Sequence, residues 1–123
     1  MGKIVAVVDD LFFGAKIRES ARQTGAELEL LRAADFSPAR LAAGQAALVI
    51  FDLNARSADP VELVRQLKGD SSVGGVPVLG FVSHVQVELQ QAAQQAGCDQ
   101  VMPRSKFSAT LPEILRRYTT PTS

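Results

Sequence analysis

The sequence predicts an α/β fold, a doubly wound parallel sheet of five strands with helices on both faces. Two observations carry that expectation. Short, near-continuous apolar runs recur along the chain, the pattern of strands buried on both faces of a parallel sheet. Segments with apolar residues at helical spacing lie between them, and strict alternation of the two implies right-handed crossovers.

The first strand is Ile4–Val8, followed by Asp9 and Asp10. Phe13, Ile17 and Ala21 then recur every four residues, which predicts a helix over 12–23 with Gly25 as its stop. Leu28, Leu30 and Leu31 alternate in part with Glu27 and Glu29, which suits an edge strand with one wetter face. Ser37-Pro38 reads as N-cap and first-turn proline of a short helix ending at Gly44. Ala47–Phe51 is the third strand, followed by Asp52. Asp59-Pro60 repeats the cap signature ahead of Val61, Val64 and Leu67, and a loop follows over 69–75. Val76–Val82 is the fourth strand. Ser83 and Gln86 have capping-box spacing at the head of a glutamine-rich fourth helix that ends near Gly97. Val101-Met102 is a weaker fifth strand. Thr110 and Glu113 repeat the capping-box spacing before Ile114, Leu115 and Tyr118. The expected domain covers 1–118, with a disordered tail over 119–123.

Composition narrows the function classes. A chain of 123 residues fits one domain. The 13 basic side chains balance 13 acidic ones, which argues against a broad nucleic-acid surface. A single cysteine, Cys98, excludes an intramolecular disulfide and a cysteine-rich zinc site; a single histidine, His84, excludes a multi-histidine cage. His84 reads as a surface residue at the rim of the site. No apolar run approaches the roughly 18 residues of a membrane span, and no signal-peptide core is present, so a cytoplasmic protein is expected.

In open sheets of this kind, ligands bind beyond the carboxyl ends of the strands, where the strand order reverses. In the order 2-1-3-4-5 the first and third strands flank that point, so Asp9, Asp10 and Asp52 would meet in one cleft. Three like charges raise one another's pKa, and a divalent cation relieves them. Mg2+ takes oxygen ligands, usually one or two carboxylates with waters and phosphate oxygens. A carboxylate beside such an ion can attack a phosphoryl group. The competing role is structural: Asp9 or Asp10 caps the helix that begins just after them.

Val7-Val8-Asp9-Asp10 and Val49-Ile50-Phe51-Asp52-Leu53-Asn54 resemble the receiver domain of two-component response regulators. Asp59-Pro60-Val61-Glu62-Leu63 resembles that family's D-G-x-E-L stretch, with Pro60 in place of Gly, and Ala96-Gly97-Cys98-Asp99 resembles its A-G-A-D turn. The resemblance covers about residues 3–118 and implies the flavodoxin-like sheet in the order 2-1-3-4-5 with five helices. It implies a phosphoacceptor at Asp52 and a weakly bound Mg2+ held by Asp9, Asp10, Asp52 and the backbone carbonyl of Asn54. In receivers, the face made by the fourth helix, fifth strand and fifth helix docks partners. Gln91, Gln95 and Val101 fall on that face here.

The departures from the family fall on the switch. A Thr or Ser hydroxyl that would donate to the phosphoryl group is replaced by Val82. Ser83 comes one residue later, on the opposite face of a strand, and reads more readily as a helix cap. The family's Lys and cis-Pro fall on Arg104 and Ser105, with Lys106 as a competing phosphate contact. The family's aromatic on the fifth strand falls on Val101.

The resemblance implies a single-domain receiver rather than an enzyme. It would take a phosphoryl group on Asp52 from a histidine kinase or phosphotransfer protein and signal to a downstream protein, with room for a homodimer. Nucleic acid and membrane are not expected partners. The alternative is a pseudo-receiver, the same fold acting as a phosphorylation-independent interaction module, which Val82, Val101 and Arg104-Ser105 favour. A small ligand-binding enzyme is the third reading. It lacks the D-x-D, glycine-rich loop and D-x-H-x-x-G signatures that phosphoaspartyl hydrolases, nucleotide sites and cobalamin sites need.

Overall fold

The computed structural model describes residues 2–42, 46–84 and 86–119. Strands β1 (Lys3–Val7), β2 (Leu28–Leu31), β3 (Ala46–Asp52), β4 (Val78–Val82) and β5 (Gln100–Pro103) pair in parallel in the order β2-β1-β3-β4-β5. Helices α1 (Leu11–Thr24), α2 (Pro38–Ala42), α3 (Pro60–Gly69), α4 (Val87–Ala96) and α5 (Arg104–Thr119) complete the expected alternation.

The two-residue period of the strands sorts the core into two layers. Ile4, Ala6, Leu48 and Ile50 pack with Phe13 and Ile17 of α1 and Phe107 and Leu111 of α5. Val5, Val7, Val49 and Phe51 face the other way, toward Val64 and Leu67 of α3 and Ala93 and Ala96 of α4. Burial on both faces explains why β1, β3 and β4 read as continuous apolar runs rather than alternating ones.

Local signals set most boundaries. Asp59 caps α3, its carboxylate accepting from Val61 N at 3.0 Å and Glu62 N at 3.4 Å. Gly25 ends α1 in the left-handed region, at φ 75°. Three expectations need correction. Ser83 does not cap α4, which begins at Val87 with Gln86 in the cap position. Thr110 does not open α5: that helix already starts at Arg104, because Phe107 extends its apolar stripe upstream, and Thr110 Oγ1 donates back to Lys106 O at 2.8 Å. β4 starts at Val78 rather than Val76, whose N–H is held in a turn by Val73 O. Thr119 belongs to α5, while residues 120–123 of the expected tail and the expected helix end at Gly44 lie outside the described residues.

Candidate functional site

The carboxyl ends of β1 and β3 deliver the acidic residues to the point where the strand order reverses. Asp52, the last residue of β3, is 7% exposed and is the buried polar or charged side chain of the described core. Burial pushes its carboxyl above the usual carboxylate range. A hydrogen bond from Asn54 N opposes that shift, the charges of Asp9 and Asp10 add to it, and Arg104 offsets it. Oδ1 accepts from Asn54 N at 2.9 Å, and Oδ2 accepts no hydrogen bond from the described residues.

Asp10 takes the structural role open to it. It caps α1, with Oδ1 accepting from Phe12 N at 2.9 Å and Phe13 N at 3.1 Å. Its Oδ2 stands 3.5 Å from a guanidinium nitrogen of Arg104. Arg104 is the first residue of α5, and its guanidinium lies 5.1 Å from the centre of the Phe13 ring. Phe13 in turn packs on Phe81 and Phe107, so an aromatic cluster fixes the cation's platform. Asp10, Arg104, Lys16, Ser83 and Ser105 line one open groove. Lys106, the competing cation, is exposed and does not line it. No peptide bond among the described residues is cis, so the Arg104–Ser105 step is trans.

Asp9 departs from the expected arrangement. Oδ1 accepts from Ala33 N and Ser57 Oγ, each at 2.9 Å. Oδ2 accepts from Arg56 N at 2.8 Å and Ser57 N at 2.7 Å. Four donors fill the acceptor capacity of one carboxylate. Burial raises the Asp9 pKa, but the bonds from Ala33, Ser57 and Arg56 outweigh it and hold the carboxyl below its ordinary value. Asp9 thus ties the end of β1 to the segments after β2 and β3. Among the described residues no three His, Cys, Asp or Glu side chains stand together as a cation site. The donors left are the carboxylates of Asp10 and Asp52 and the carbonyl of Asn54. That set fits a hydrated Mg2+, which needs only one or two carboxylates and keeps several waters.

Val82 is fully buried in the layer under α3 and α4 and offers no donor. Ser83 is exposed, and its N–H donates to Asn54 Oδ1 at 2.7 Å. Asn54 Nδ2 donates to Gln86 Oε1 at 2.8 Å, a contact for which the sequence carries no local signal. On the expected partner face, Gln91 and Gln95 are exposed and Val101 is half-buried against the core. His84 is exposed in the bend before α4.

No family model matches the chain. Solved structures do. The chemotaxis protein CheY4 of Vibrio cholerae superposes at a TM-score of 0.81, with 20% identity over 96% of this chain and 98% of that one. The chain has the fold of response-regulator receivers. The phosphorylated cyanobacterial phytochrome response regulator RcpA matches at a TM-score of 0.81, with 16% identity over 99% of this chain and 96% of that one. The Mn(2+)-bound form of response regulator Rcp1 matches at 0.79, with 16% identity over 99% and 98%. In this fold Asp52 ends the central strand, beside the point where the strand order reverses.

Proposed function

We propose that this chain is a receiver that accepts a phosphoryl group on Asp52 and passes the change on through protein contacts. One observation carries the reading: a carboxylate is buried at the carboxyl end of β3 with one oxygen held by its own loop and the other without a donor among the described residues. Burying a charge this deeply is costly unless it has a partner or a task. Oδ2 is the attacking atom. The donor's bond to phosphorus breaks, its electron pair leaves with the donor, and the Oδ2–P bond forms. The donor is a phosphohistidine on a kinase or phosphotransfer protein, or a small acyl phosphate. Asn54 N holds Oδ1 and leaves Oδ2 for the attack. Arg104, on its aromatic platform, supplies the positive charge that the transferred oxygens need.

Asp10, Asp52 and the Asn54 carbonyl would hold a Mg2+ ion, and Asp9 is occupied elsewhere. When bound, the ion neutralises charge that develops on the phosphoryl oxygens. The likeness to phosphorylated RcpA and Mn(2+)-bound Rcp1 supports both halves of the reading. Among the described residues no helix is long and apolar enough to cross a membrane.

A second reading, an interaction module that does not use phosphorylation, is favoured by the buried and donor-free Val82. Incubation with acetyl phosphate and Mg2+ separates the two. The receiver reading expects an adduct of about 80 Da by intact mass. No adduct, or one that survives Asp52→Asn, rejects it.

A further inference from the structure

Asp52 is connected to the head of α4 through a single residue. Asn54 N donates to Asp52 Oδ1 at 2.9 Å. The same residue's side chain accepts from Ser83 N at 2.7 Å and donates to Gln86 Oε1 at 2.8 Å. Gln86 occupies the cap position of α4, yet its side chain makes no cap bond to the helix. Its amide oxygen is engaged by Asn54 instead. Gln86 O also accepts from Gln90 N at 2.9 Å, so a shift of Gln86 bears directly on the first turn of α4.

We propose that the Asn54 side-chain amide is a positioning residue that ties Asp52 to the head of α4 and carries the state of Asp52 to that helix. The proposal rests on the reading of Asp52 as phosphoacceptor. The hydroxyl that would make this connection at position 82 is absent, because Val82 is apolar and packed in the core. A modification shifts a conformational equilibrium only through contacts that differ between the two states. The Asn54 N–H to Oδ1 bond is such a contact. Before transfer, Oδ1 is a carboxylate oxygen and the bond is charge-assisted. After transfer through Oδ2, Oδ1 is the carbonyl oxygen of an acyl phosphate, a neutral and weaker acceptor. The charge has moved to the phosphoryl oxygens, which compete for nearby donors. Asn54 moves with that exchange, and both ends of its amide are already attached to the β4–α4 connection.

Hydrogen exchange of the α4 amides tests the tie, with Gln86→Leu and Gln86→Glu as variants. Among the described residues Gln86 makes no hydrogen bond to Asp52, and it does not line the groove, so both variants are expected to form the acetyl phosphate adduct. At equal adduct occupancy, wild type is expected to change α4 exchange by about fivefold, the scale of one hydrogen bond. Gln86→Leu should lose most of that response. Gln86→Glu, which still accepts from Asn54 Nδ2, should restore it. An adduct that changes α4 exchange equally in wild type and Gln86→Leu, or not at all in wild type, overturns the proposal. A second arm needs no phosphodonor: Asp52→Asn replaces the anionic acceptor with a neutral one. It should alter α4 exchange in the wild-type background and not in Gln86→Leu; the same response in both backgrounds, or none in either, overturns the tie. Absence of an adduct rejects the phosphoacceptor reading separately from this arm.

Discussion

Asp9 and Ser57 are joined twice: Ser57 N donates to Asp9 Oδ2 at 2.7 Å, and Ser57 Oγ donates to Oδ1 at 2.9 Å. Ser57 Oγ also accepts from Ala34 N at 2.8 Å, so this pair holds three strand ends at once. The carboxylate that the sequence offers to a metal is thereby a structural clamp beside the acidic pocket.

Asp9→Ala leaves three backbone N–H groups and a hydroxyl without their acceptor. The cost is expected to be about 3 kcal/mol, or roughly 10 °C in Tm by thermal melting. Because the folded Asp9 pKa lies below the ordinary value, its contribution is present above the unfolded pKa and is lost as pH falls through the folded one. The gap between wild type and Asp9→Ala should therefore narrow in acid. A gap independent of pH contradicts the clamp.

Asp52 should behave in the opposite way. Its folded pKa is raised, so its ionised form opposes folding at neutral pH. Asp52→Asn keeps an acceptor for Asn54 N and removes the buried charge. It should raise Tm at pH 7, with the gain fading as pH falls through the folded pKa and gone below about pH 4, the ordinary carboxylate value. A variant less stable than wild type at pH 7 would show that the ionised carboxylate is well compensated.

On the proposed function, Arg104 and a divalent cation would compete for Asp10. The guanidinium stands 3.5 Å from Asp10 Oδ2, and both side chains are partly exposed, so the pair is a modest one. Arg104→Gln should tighten Mg2+ binding up to about fivefold by titration calorimetry, because the resident cation is gone. The same variant should slow adduct formation from acetyl phosphate, because the positive charge on its aromatic platform is lost. Equal Mg2+ affinity in the two proteins would separate Arg104 from the metal site.

The sequence carried the layout because its signals are local. A continuous apolar run ending in Asp52 marks a buried strand with a charge at its end, and Asp59-Pro60 announces a helix through bonds spanning two and three residues. Asp9 was not legible in this way, since its donors lie 24 to 48 residues away and nothing near Asp9 announces them. The Ser83 and Gln86 spacing matched a capping box, but Gln86 is drawn off by Asn54, 32 residues earlier, and the helix starts later. Thr110 matched one too, and Phe107 overrode it by seating the preceding turn in the core. Of the two adjacent aromatics, Phe13 is buried at 9% exposure and Phe12 stands out at 92%, a choice made by the Asp10 cap that sets the phase of α1.

The central claim is that Asp52 Oδ2 takes a phosphoryl group. Peptide mapping by mass spectrometry after incubation with acetyl phosphate and Mg2+ addresses it most directly. The account predicts one phosphoryl group, placed on the peptide containing Asp52, absent in Asp52→Asn and retained in Asp9→Asn. A phosphoryl group on Asp9 or Asp10, or no modification of the folded wild-type protein, would contradict it.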